Sequence, residues 1–171
     1  MDLNDRPLPY KIRPCPISEV IVELRFETIA PADAVFGMLY EEFKDDFPDL
    51  ERQPVLQVPE LLREADPNLR YLPEYKLNAR DRVLMVGRHA VALASTGVYP
   101  GWSVFSTVAR EMISRVEGVG LVKHVTRFGL RYINSFKLDI LRHSSLSIRC
   151  SDIDLTTKSS QIQLTAQISA A

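Results

Sequence analysis

The residues EVIVELRFE, 19–27, alternate in character: Val20, Val22, Leu24 and Phe26 fall on one face of an extended chain and Glu19, Glu23, Arg25 and Glu27 on the other, with Ile21 alone out of phase. A side-chain period of two with one apolar face predicts a half-buried β-strand. The period then changes. Along PADAVFGMLYEEFKDDFP, Val35, Phe36, Leu39, Phe43 and Phe47 recur mainly at steps of three and four, Pro31 suits a first helical turn and Pro48 ends the pattern, so an amphipathic helix is expected. A second stripe runs through PGWSVFSTVAREMISRVEG, where Trp102, Phe105, Val108, Ala109, Met112, Ile113 and Val116 share a face and Gly118 is the expected cap.

Between the two helices, residues 75–95 read as a meander, with strands at 75–79, 83–86 and 90–94, a turn at Arg80-Asp81 and a break at Gly87-Arg88. Residues 48–73 contain Pro54, Pro59 and Pro67, each of which removes a backbone donor and biases its predecessor away from helix. An irregular Pro-rich excursion with one short turn near 60–65 is expected there. Val55, Leu56, Val58, Leu61, Leu62 and Leu72 give it material to pack with, so it reads as part of the domain and not as a linker.

After the second helix a long strand is expected over 122–138, followed by strands at 146–150 and 162–168. In the last of these Ile162, Leu164, Ala166 and Ile168 alternate with Gln161, Gln163, Thr165 and Gln167, and the chain stops at Ala171. Such a strand reads either as the end of a fragment or as an edge that pairs with something else. The order β-α-β-β-β-α-β-β-β predicts a single α+β domain over 1–171, with an antiparallel sheet and two amphipathic helices on one face. A doubly wound parallel fold would need helices alternating with single strands.

Composition narrows the function classes. A chain of 171 residues, 46% apolar and 25% charged, is long enough to bury about 70% of its unfolded surface without staples. A net charge of −1 provides no bulk electrostatic footprint for nucleic acid, and Arg110, Arg115, Lys123, Arg127 and Arg131 are interleaved with acidic residues, so a nucleic-acid partner ranks last. Cys15 and Cys150 have no metal or redox spacing, and the first residues lack the apolar core of a signal peptide. The longest apolar run, 83–94, is broken by Gly87, Arg88 and His89, too short to span a bilayer. A cytoplasmic protein with free thiols and no membrane segment is the expectation.

Candidate chemistry is sparse. His89, His124 and His143 are far apart without carboxylate or cysteine partners at ligand spacing, so neither a metal site nor a cofactor is expected. There is no nucleophile elbow, P-loop or dinucleotide glycine pattern, GVYPG at 97–101 lacks the lysine and glycine density, and Asp45, Asp46 and Asp49 read as a solvated helix end, which leaves no catalytic candidate.

The stretch RFGLRYINSF, 127–136, is richer. Phe128, Leu130, Tyr132 and Phe136 share a face and are expected in the core, while Lys123, Arg127, Gly129, Arg131 and Ser135 form a basic face. If this strand neighbours the first, Glu19, Glu23 and Glu27 can stand opposite Lys123, Arg127 and Arg131 in a ladder of pairs, each contributing about 0.2 to 1 kcal/mol. Alternatively an arginine left over from pairing binds an anion through its guanidinium fork, with Gly129 allowing close approach or marking a bulge. Tyr99 and Trp102 open the second helix, where unpaired amides attract anions or where the two rings anchor the helix. Arg127, Arg131, Tyr99 and Trp102 are therefore the candidate ligand-binding residues.

Three segments, YKIRPCPISEVIVELRFE, VYPGWSVFSTV and VTRFGLRYINSF, together resemble a sporadically distributed prokaryotic family of uncharacterised proteins. The matching positions are Tyr10, Pro16, Ile17, Glu19, Glu23, Arg25 and Phe26, then Tyr99, Trp102 and Phe105, then Arg127, Gly129, Leu130, Arg131, Tyr132, Ile133 and Asn134, over about residues 10–138. Cys15 stands where the family pattern has a second proline. Members are typically longer, so the resemblance implies an N-terminal fragment of a longer member, and it carries no established activity. The expected function is a non-catalytic binding or protein-interaction module that assembles, as a homo-oligomer or with another protein, through its sheet or edge strand. The alternative is a protein or enzyme that binds an anionic small molecule near Arg127 and Arg131.

Overall fold

A computed structural model describes residues 13–135, 149–150 and 153–154. The chain divides into two compact units, Met1–Ser135 and Phe136–Ala171. In the first, β1 (Ile17–Thr28), β2 (Asp49–Arg52), β3 (Tyr75–Asn78), β4 (Arg82–Val86), β5 (Ala90–Ser95) and β6 (Val122–Asn134) form one antiparallel sheet in the order β2-β3-β4-β5-β1-β6. Three helices accompany it: α1 (Ala32–Phe43), the short α2 (Glu60–Ala65) and α3 (Trp102–Gly118). In the second unit β7 (Arg149–Cys150) pairs antiparallel with β8 (Ile153–Asp154). The expected strands at 146–150 and 162–168, and the end of the one at 122–138, lie partly or wholly outside the described residues.

The α+β architecture follows from the two periods. Val20, Val22, Leu24 and Phe26 of β1, with Val91 and Leu93 of β5, Leu84 and Val86 of β4 and Leu77 of β3, present one apolar face. Against it pack Val35, Leu39 and Phe43 of α1 and Phe105, Ala109, Met112 and Val116 of α3, all in a single buried cluster. Both amphipathic helices therefore serve one face of the sheet. The reversal after α3 is made not at Gly118, which stays helical, but at Gly120, whose φ of +75° suits a residue without a side chain.

The Pro-rich excursion holds more regular structure than its composition suggests. Asp49–Arg52 escapes the prolines and pairs with β3 as the edge strand β2, Pro54–Gln57 forms a 3-10 turn, and the turn expected near 60–65 is the helix α2.

The expected burial of β6 is corrected by the structure. Phe128, Leu130 and Tyr132 stand opposite Leu24, Val22 and Val20, on the core side, yet they remain 57%, 43% and 38% exposed. The reason is width. Two packed helices cover about 20 Å, or roughly four strand spacings of about 4.8 Å, so a six-stranded sheet extends past them. Leu50 on the opposite edge strand is exposed for the same reason. Phe136 lies outside the described residues.

Candidate functional site

β1 and β6 are neighbours, as the ladder requires, but their register does not build it. Glu23 faces Gly129, Ile21 faces Arg131, Glu19 faces Ile133, and Arg25 faces Arg127. An irregularity follows: Phe26 pairs with Val125, so Thr126 has no counterpart and the side-chain phase of β6 inverts there. Only Glu27 keeps basic company across the strands, with Lys123 and His124 each at 3.6 Å. Glu23 turns instead to Arg25 on its own strand, at 2.6 Å. No ion pair to Arg127 or Arg131 occurs among the described residues. Gly129 is neither at the irregularity nor sterically required, since an added Cβ would lie 3.8 Å from that of Glu23, an ordinary contact.

Arg131 leaves the sheet on the face opposite the helices and lines a cleft of about 440 Å³. Ile21, Glu23 and Arg25 of β1, Ala90 and Ala92 of β5 and Met85 of β4 supply its sheet side, and Pro67, Asn68, Tyr71, Leu72 and Pro73 its other wall. The wall is held in place: the Arg25 guanidinium lies 4.2 Å from the Tyr71 ring centroid, and the Leu72 carbonyl sits so close to Gly87 that any Cβ there would approach it to 2.7 Å. Arg127 is not among the lining residues.

Tyr99 and Trp102 belong to the other side. The Tyr99 hydroxyl is 3.5 Å from that of Tyr132, with the rings edge-on at 6.0 Å, and burial followed by this hydrogen bond pushes its phenol up to about 12. Trp102 rests 6.5 Å from Phe105 and is 52% exposed. Successive residues of a strand project to opposite faces, so Arg131 and the Tyr132–Tyr99 pair cannot share a site. The candidates therefore separate into an outer cleft with Arg131 and an inner apolar band, in which Tyr99 meets the end of the row Phe128, Leu130, Tyr132, while Trp102 packs at the start of α3 beside Phe105.

A third cluster escaped sequence reasoning. Buried Arg88 donates from Nε to Glu74 Oε1 at 2.9 Å and from Nη2 to Asp33 at 3.1 Å, and also pairs with Glu60. Buried Arg63 pairs with the same Glu74 and donates from Nε to the Val58 carbonyl at 3.0 Å. His89 Nε2 lies 2.9 Å from Glu64. Two guanidiniums shared among three carboxylates from α1, α2 and the residue before β3 pin the excursion to the β4–β5 turn and to the start of α1. The signal was the charged Gly-Arg-His interruption of an apolar run, which marks a buried charge as well as it marks a break.

Among the described residues no group of three or more His, Cys, Asp or Glu could hold a metal, and no helix is long and apolar enough to cross a membrane. Arg115, one of the scattered basic residues, is held between Glu42 at 2.7 Å and Asp46 at 2.6 Å and stacks on Phe43. Comparisons with protein-family profiles, curated proteins and solved structures found no match.

Proposed function

We propose that this chain is a non-catalytic interaction module that self-associates through β6. The observation that supports this reading is the row Phe128, Leu130 and Tyr132, 38–57% exposed on a 13-residue strand that ends the sheet among the described residues. A long edge strand with apolar side chains templates strand addition unless it is blunted by charge, proline or cover. No proline interrupts β6, its arginines at 127 and 131 lie on the other face, and its remaining charge, Lys123, lies at the far end from the row, beside Glu27.

The arginines also select a register. Antiparallel pairing of two copies about Leu130 sets Phe128 opposite Tyr132 of the second copy, and it sets Arg127 opposite Ile133 and Arg131 opposite Gly129, so no guanidinium directly faces another. Light scattering across a wide concentration range tests the proposal. A mass that rises with concentration, and returns to the monomer in Leu130→Lys, is expected; a strictly monomeric mass at every concentration overturns it.

A further inference from the structure

We infer that the cleft on the outer face of the sheet binds a small ligand with a flat apolar body and one anionic group, the anion being taken by Arg131. The inference does not depend on self-association, because the cleft and the apolar row of β6 lie on opposite faces.

Shape comes first. At about 440 Å³ the cleft falls within the range of roughly 300–1,000 Å³ usual for small-molecule sites. It exists because Ala90 and Ala92 put only methyl groups beside the longer Arg25 and Glu23 of β1 and Met85 of β4, and because residues 67–73 stand over that floor and do not collapse into it. That wall is pre-formed. Arg25 stacks on Tyr71, the Asp66 carboxylate accepts from the Asn68 amide at 2.8 Å, and the next residue after Pro73 is Glu74, fixed by two buried arginines. Pro67, Pro73 and the Tyr71 ring offer flat apolar surfaces, the kind that suits a planar ligand body.

Charge then sets the ligand class. Three ionised side chains line the cleft: Glu23, Arg25 and Arg131. Glu23 and Arg25 neutralise one another at 2.6 Å, which leaves Arg131 as the unopposed charge among the described residues. A guanidinium fork takes a carboxylate or a phosphate through paired hydrogen bonds, and the net positive lining disfavours a cationic ligand. Asn68 adds one uncharged polar group to the same lining.

The test is an NMR titration of the uniformly ¹⁵N-labelled chain with 2-naphthoate, 2-naphthyl phosphate and neutral 2-naphthamide. Saturable shifts are expected at the amides of Ile21, Asn68, Tyr71 and Ala92, with at least one anion binding about tenfold more tightly than the amide and the tighter of the two identifying the preferred group. Arg131→Gln, a change at an exposed residue that leaves the core untouched, should remove that difference while the fold, read from the remaining amide peaks, persists. Equal binding of anions and amide, an unchanged anion preference in Arg131→Gln, shifts confined to β6, or no saturable shift with any probe would each overturn the inference.

Discussion

The Tyr99 phenol is half-buried, shares a hydrogen bond with Tyr132 and is raised from its ordinary value of 10.0 to about 12, so the fold favours its neutral form. Because the folded value lies above the unfolded one, the associated stability is fully present below about pH 10 and is lost as pH rises through about 12. An absorbance titration of the six tyrosines should show a phenol ionising near 12, and Tyr99→Phe should delete that late step and flatten the loss of stability over the same window. Nothing in the sequence around Tyr99 announces this, since Tyr132 is 33 residues away. Gly118 and Gly120 make the same point from the backbone: both sit near the end of a helical stripe, and only the chain path decides that Gly120 takes the positive φ.

Elements with the same pattern can have different fates. β1 and β6 both alternate apolar and polar residues, and both were legible as strands from that period alone. Phe26 on β1 is 1% exposed and Phe128 on β6 is 57% exposed, because β1 lies under the helices and β6 lies beyond them. Chemical denaturation at protein concentrations low enough to keep the chain monomeric should separate them. Phe26→Ala is expected to cost about 3 to 5 kcal/mol, as for a buried aromatic, and Phe128→Ala roughly 1 kcal/mol or less. Equal losses would mean that β6 is covered in solution. The charge ladder failed at this scale too, because register is set by both strands and by three irregularities along them, the one at Thr126 among them, and a shift of a single residue exchanges the faces.

Across the whole first unit, the cluster around Glu74 joins segments that are distant in sequence: Asp33 at the start of α1, Glu60 and Arg63 of α2, and Arg88 between β4 and β5. Removing Glu74 would take from buried Arg63 its carboxylate partner and leave buried Arg88 with only Asp33 and Glu60, and breaking a buried pair from one side typically costs about 3 to 5 kcal/mol. Urea unfolding of Glu74→Ala should show a loss of that size, and replacing Arg63, Glu74 and Arg88 together by apolar residues of similar volume should recover much of it. The same cluster fixes the wall of the outer cleft, so Glu74→Ala should also weaken the anion-binding response described above.

Local pattern was enough for β1, β3, β4, β5 and β6, the two amphipathic helices, the antiparallel α+β class and the apolar face they share, because these depend on side-chain periods of two and about 3.6 that any short window displays. Tertiary structure alone decided the rest. It set how far two helices reach across six strands, which register β1 and β6 adopt, and that a proline-rich excursion arches over alanines to form a cleft. Those outcomes arise from the width of packed layers, the pairing of whole strands and the neutralisation of charges tens of residues apart, none of which is encoded in the order of neighbouring residues. Residues 127–134 of RFGLRYINSF were readable as a strand; that its apolar side lies open followed only from where the sheet ends, and that Arg131 faces a cleft only from the path of residues 67–73.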